Sequence, residues 1–202
     1  ALKSVLMDTS RPFACATAIQ WSFPGFSDPV GRQRTYAAGL AASFRNIHRT
    51  LGMRTLLLKQ LENAAGVPGD DAVMHEIASL SGDAVICTFD NYSPAVMRGI
   101  ISRGCLFVGS RMHSNIFALQ VGKPLVAISY QPKTDGIMKM LNLADFVVPI
   151  STVTGESILA KAQDALKRAT LFEQARILMA ELGSMGRRTL QGILCGIAAR
   201  RK

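Results

Sequence analysis

The sequence predicts an α/β fold, a doubly wound and mainly parallel sheet, and three observations lead there. Short apolar runs rich in Val, Ile, Leu and Phe alternate with longer segments of helical period, the pattern of strands covered on both faces by helices. The composition, 49% hydrophobic and only 18% charged over 202 residues, is enough to bury one sizeable core. No internal repeat and no low-complexity linker divides the chain, so residues 1–202 read as one domain.

Six strands are expected, the first from Phe13 to Trp21. A loop containing Phe23-Pro24-Gly25 and Asp28-Pro29 follows, then a helix from about Thr35 to Leu51, whose apolar positions Tyr36, Leu40, Phe44, Ile47 and Leu51 recur three or four residues apart. Gly52 suits the helix end because it tolerates positive φ. The second strand is Met53 to Leu58, and a turn from Gly66 to Gly69 leads to a helix opened by Asp70 and Asp71, carboxylates matched to its positive end. Further strands are Ala84 to Phe89, Cys105 to Val108, Leu125 to Ser129 and Phe146 to Pro149. Helices lie near Pro94 to Arg103, Ser110 to Val121 and Asp135 to Leu141, and the chain turns helical again from Gly155. Residues 171–202 read as a basic helical tail carrying Arg176, Arg187, Arg188, Arg200, Arg201 and Lys202.

The formal net charge of +9 favours an anionic partner, but the basic residues form no long run and the few aromatics are not interleaved with them, which argues against nucleic acid. No apolar run approaches the length of a membrane span, and Ala1-Leu2-Lys3 lacks the layout of a signal peptide. Cys15, Cys87, Cys105 and Cys195 are far apart and three interrupt apolar stretches, as reduced thiols of a cytoplasmic protein do. The basic tail reads first as a solvated helix face packed on the domain, with contact to the inner face of an acidic membrane as the alternative.

The stretch Cys105 to Lys133 carries the chemistry. A strand runs into Gly109-Ser110, and the following loop delivers Arg111 and His113 at the start of a helix. Free backbone N–H groups and the helix dipole make such a junction attractive to phosphate. Arg111 can grip a phosphate or carboxylate through two parallel hydrogen bonds, and His113 belongs to the residue type that titrates near neutrality. The next strand ends in Tyr130 and Lys133, and adjacent strand ends open onto one crevice in such a sheet. His48, His75 and His113 are scattered without a ligand pattern, so no metal is expected. His48 and His75 read as members of helical patterns. Asp90-Asn91-Tyr92 reads equally as a turn or as a loop reaching the crevice.

Arg111-Met112-His113, Gly122-Lys123-Pro124, the run Leu125 to Ser129 with Tyr130-Gln131-Pro132-Lys133, and Leu141-Asn142-Leu143 together resemble the signature of polysaccharide pyruvyl transferases. The likeness is dense over residues 84–150 and looser over 13–83. It implies a Rossmann-like domain resembling the carboxyl-terminal half of a GT-B fold, phosphoenolpyruvate as donor, and a saccharide acceptor, free or lipid-linked. No cofactor is implied. Arg111, His113, Lys133, Tyr130 and Ser110 would bind the donor, and His113 would be catalytic. Transfer to sugar hydroxyls would form a ketal during cell-surface polysaccharide biosynthesis.

The sequence departs from the family pattern in three places. Ile19-Gln20-Trp21-Ser22 stands where an Arg is common, leaving Arg32 or Arg34 to replace it; Met112 replaces a Leu; and Asn142 replaces a Gly while tolerating positive φ. The family's amino-terminal half is not recognisable, so the chain is expected to be one half of a two-domain enzyme and incomplete by itself. A GT-B glycosyltransferase or nucleotide-sugar epimerase domain is the alternative reading, with Glu156 the sole candidate for a ribose hydroxyl. A non-catalytic, decayed binding domain is the third.

Overall fold

A computed structural model describes residues 10–64 and 68–199 and contains six strands: β1 (Phe13–Thr17), β2 (Arg54–Leu58), β3 (Val85–Thr88), β4 (Leu106–Gly109), β5 (Leu125–Ser129) and β6 (Val147–Pro149). All neighbouring pairs are parallel, in the order β3-β2-β1-β4-β5-β6. The connecting helices are α1 (Pro29–Leu51), α2 (Asp71–Ser81), α3 (Pro94–Ile101), α4 (Met112–Gln120) and α5 (Pro132–Met140), with α6 (Gly155–Lys167) and α7 (Ala169–Ala199) closing the chain. This is the Rossmann-like order, in which the winding reverses between β1 and β4.

Because strand side chains alternate between faces, each strand feeds two apolar layers. Ala14, Ala16, Leu57, Val108, Val126 and Ile128 pack under α1, α2 and α6. Phe13, Cys15, Leu56, Phe107, Leu125 and Ala127 meet α3, α4, α5 and α7 on the other side. Of the anticipated apolar positions of α1, Tyr36, Leu40, Phe44 and Ile47 are fully buried, and Leu51, at the helix end, is partly buried against the same cluster. Gly52 closes α1 in the left-handed region at φ 67°, and Asn142 adopts φ 57°, so the turn after α5 keeps its shape without a glycine.

Several boundaries moved, each for a local reason. β1 ends at Thr17 rather than Trp21 because its ladder to β4 stops at the Thr17–Gly109 pair. Beyond it the backbone bonds to side chains, Ile19 N–H donating to Tyr36 Oη at 3.3 Å and Trp21 N–H to Gln33 Oε1 at 3.1 Å. α1 starts at Pro29, well before Thr35, since Asp28 caps it by accepting from Gly31 N–H at 2.9 Å and Pro29 occupies the first helical position, where its missing N–H costs nothing. α4 and α5 begin at Met112 and Pro132 rather than at Ser110 and Asp135. The basic tail is helical as α7, anchored by Phe172 and Ala175. Residues 65–67, which include the start of the expected Gly66 to Gly69 turn, and Arg200, Arg201 and Lys202 lie outside the described residues.

Candidate functional site

The loops leaving the carboxyl ends of the strands gather at one edge of the sheet, and hydrogen bonds tie the junction of β4 with α4 to β1. Ser110 N–H donates to Thr17 O at 3.1 Å, tying the junction to β1. Ser114 Oγ, in the first turn of α4, donates to Arg111 O and lies 2.9 Å from Thr17 Oγ1. Gly109 is required here for space: a Cβ would stand 1.8 Å from Asn115 Oδ1. The Asn115 carboxamide fills the room that the missing side chain leaves, and neither of its polar atoms has a partner.

Ser110 is fully buried, with its hydroxyl 2.6 Å from Tyr36 Oη inside the core. It therefore braces the junction from behind instead of facing solvent. Tyr36 is held between Ser110 and the loop after β1, and burial pushes its phenol well above the ordinary range against the opposing effect of the Ser110 hydrogen bond.

Arg111 is the residue preceding α4, in extended conformation. Its guanidinium Nη2 donates to Asp70 Oδ1, with side-chain exposures of 15% for Arg111 and 0% for Asp70. Asp70 Oδ2 also accepts from Gln60 N–H at 3.1 Å and Leu61 N–H at 2.9 Å. The sequence assigned Asp70 to the opening of α2, but its side chain makes no capping bond there. It is spent on the loop after β2 and on Arg111. Arg111 Nε is buried without a partner, which leaves donor capacity unspent at this edge.

His113 is exposed one turn into the junction and lines a cavity of about 460 Å³ with Lys59, Gln60, Asn91, Tyr92 and Phe117. Lys59, the residue after β2, is 8% exposed, with Nζ 3.4 Å from Asp71 and 3.9 Å from Glu62. Asn91 and Tyr92 do reach the crevice. Tyr92 Oη bonds to Thr88 Oγ1 at 2.8 Å and Asp90 Oδ2 at 3.0 Å, and burial raises its phenol from the ordinary value.

Tyr130 lines a different cavity, beside the loop after β1. Lys133 is exposed in the first turn of α5 and belongs to neither lining. Arg111 and His113 thus share one junction, but of the two only His113 lines the cavity, while Tyr130 lines the second cleft and Lys133 neither. Of the two substitutes for a first-strand arginine, Arg34 lines a cleft with Gln20 and Trp21, whereas Arg32 stacks 4.8 Å over the Phe26 ring. His75 stacks on Phe89 at 4.4 Å, and Glu156 lines none of the three cavities. Among the described residues no group of three or more metal-type ligands occurs, and no helix is long and apolar enough to cross a membrane.

Sheet order and helix placement define a Rossmann-like α/β domain, with a cationic side chain and a histidine at a strand-to-helix junction. The family model for polysaccharide pyruvyl transferase matches residues 27–132, and the chain belongs to that family. The match takes in α1 through Tyr130 and stops short of Lys133 and the Leu141-Asn142-Leu143 turn. Amylovoran biosynthesis protein AmsJ of Erwinia amylovora is 38% identical over 77 residues, which is 38% of this chain and 19% of that protein. Among solved structures, the alpha,alpha-trehalose 6-phosphate synthase of Burkholderia multivorans superposes with a TM-score of 0.58 at 10% identity, over 95% of this chain and 44% of the other. The MnaA–UDP structure of S. aureus gives 0.55 at 11% identity, over 82% and 39%. At such identities the likeness is one of fold, and the chain spans less than half the length of each protein named here.

Proposed function

We propose that the chain is the donor-binding, carboxyl-terminal half of a two-domain polysaccharide pyruvyl transferase, acting at the cytoplasmic side of cell-surface polysaccharide assembly. Phosphoenolpyruvate is the donor and two hydroxyls of a saccharide the acceptor. The observation that carries this reading is the Arg111–His113 junction: a guanidinium held by a buried carboxylate, with a buried N–H still unpartnered, beside a histidine facing a cavity of about 460 Å³.

In this reading Arg111 and the first N–H groups of α4 hold the donor phosphate or carboxylate, and Lys59 adds a second positive charge at the cavity wall. His113 delivers a proton to the methylene carbon, which leaves the central carbon electrophilic. A sugar hydroxyl oxygen bonds to that carbon and gives up its proton. Phosphate then departs with the C–O bond electrons, and the oxygen of a second hydroxyl bonds to the same carbon and gives up its proton, closing the cyclic ketal. Ser110 supports the junction through Tyr36, and neither Tyr130 nor Lys133 lines the His113 cavity. The test is calorimetric titration of the chain with phosphoenolpyruvate and with a UDP-sugar: saturable binding of the former alone supports the reading, and binding of the UDP-sugar alone overturns it in favour of a nucleotide-sugar enzyme.

A further inference from the structure

A second cleft, of about 340 Å³, lies between the loop after β1 and the ends of β5 and β6. Its walls include Trp21, Phe23, Phe26 and Tyr130, with the carboxylate of Asp135 and the hydroxyl of Ser151 at the polar positions. None of its lining residues is Lys, Arg or His. Arg32 stands outside the lining, over the Phe26 ring. An anion such as phosphoenolpyruvate finds no counter-charge here. A ring with apolar C–H faces and an edge of hydroxyls finds both kinds of surface it needs.

The aromatic wall is also fixed in advance. Trp21 and Tyr130 lean on each other with centroids 4.6 Å apart at 54°. The backbone carrying Trp21 is braced three times: its own N–H donates to Gln33 Oε1, Gln33 Nε2 donates to Ile19 O at 3.2 Å, and Ile19 N–H donates to Tyr36 Oη. Two residues on, Phe23 sits at φ 46° with its side chain 1% exposed, an unusual backbone state for a bulky residue that its burial maintains. The Phe23 ring meets Phe26 edge-on at 6.0 Å. Asp135 is oriented by a hydrogen bond from Ser129 Oγ. A cleft of exposed aromatics would ordinarily pay side-chain entropy on binding, and here that ordering is already in the fold.

We infer that this cleft is a saccharide subsite, with a hexose ring laid against Trp21 and Tyr130 and its hydroxyls donating to Asp135. Taking that hexose to be the acceptor rests on the pyruvyl-transfer reading; the subsite itself does not. It moves Tyr130 from the donor to the sugar.

Trp21 is the single tryptophan of the chain and lines both this cleft and the one beside Arg34, so variants of Tyr130 and Asp135, which line this cleft and not the other, assign a change in its emission. The probes are methyl glucoside, methyl galactoside and methyl mannoside, titrated into the 202-residue chain, with phosphoenolpyruvate and UDP as separate arms. The expected result is a saturable change with at least one hexoside that persists in saturating phosphoenolpyruvate. Tyr130→Ala and Asp135→Asn should each weaken it roughly tenfold, and Tyr130→Phe should keep it. Flat titrations with all three hexosides, displacement of the hexoside by phosphoenolpyruvate, or saturation by UDP instead would each overturn the subsite. Loss of phosphoenolpyruvate binding with hexoside binding intact would count against the donor reading and leave the subsite standing.

Discussion

The Arg111 guanidinium is clamped by Asp70, a carboxylate 41 residues away in sequence that is fully buried and also accepts the backbone N–H groups of Gln60 and Leu61. One side chain therefore joins the end of β2, the start of α2 and the start of α4. Asp70→Asn should loosen all three. Breaking a buried pair leaves an uncompensated guanidinium, so a loss of about 3 to 5 kcal/mol is expected in urea denaturation. Affinity for phosphoenolpyruvate should fall in the fraction that remains folded; unchanged affinity there would remove Asp70 as the orienting group.

Arg111 and His113 should fail in different ways in the full-length enzyme. Arg111→Ala is expected to weaken donor binding by about 1.5 to 3 kcal/mol, the loss of one charged hydrogen-bonding group. His113→Ala is expected to slow the chemical step by roughly 100-fold with donor affinity less affected. Single-turnover kinetics with donor titration separate the two. Normal turnover in His113→Ala ends the proton-donor role.

Lys59→Ala should raise the donor dissociation constant by about tenfold and make binding less sensitive to salt, if its ammonium faces the donor across the cavity. Asp71 and Glu62 already stand near it, so the alternative is a purely structural lysine. That alternative predicts lost stability with the dissociation constant unchanged.

Stability should fall in alkali. Burial raises the thiol of Cys15 and the phenol of Tyr36 well above their ordinary values of 9.0 and 10.0, and pushes Cys87 up to about 11. Below pH 9 these groups are neutral whether folded or unfolded and add no pH dependence. Above it the unfolded chain ionises first, binds fewer protons than the native state, and gains relative to it. Urea midpoints measured at pH 8 and pH 10 should therefore decline, and Cys15→Ala should shrink the decline. A pH-independent midpoint would contradict the assignment.

Strand number, parallel winding and the β4–α4 junction were legible in the sequence because they depend on local signals: apolar runs, glycine, and the spacing of Arg111 and His113. The start of α1 was not: Asp28-Pro29 supply a cap and a first helical residue, but the periodic apolar positions begin only at Tyr36, which places the expected start at Thr35. The roles of Asp70, Lys59 and Gln33 were not. Each depends on which strand end lies beside which, so Asp70 looks like a helix opener until β2 and β4 are placed on either side of β1. Tyr130 was displaced for the same reason: a residue's position after β5 does not say which of two cavities it lines.

The reversal of winding between β1 and β4 has a bearing on how such a domain can diversify. Connections leaving those two strands depart to opposite faces of the sheet, α1 to one and α4 to the other. The cavity beside His113 is built from the β2, β3 and β4 ends, and the aromatic cleft from the β1 loop with the β5 and β6 ends. Insertions or exchanges in the loop from Gln20 to Asp28 can thus reshape one cleft while the β4–α4 junction keeps its register. On the proposed assignments, selection for a new sugar and retention of the transfer chemistry then fall on separate stretches of chain, and an engineer could exchange the first stretch as a cassette.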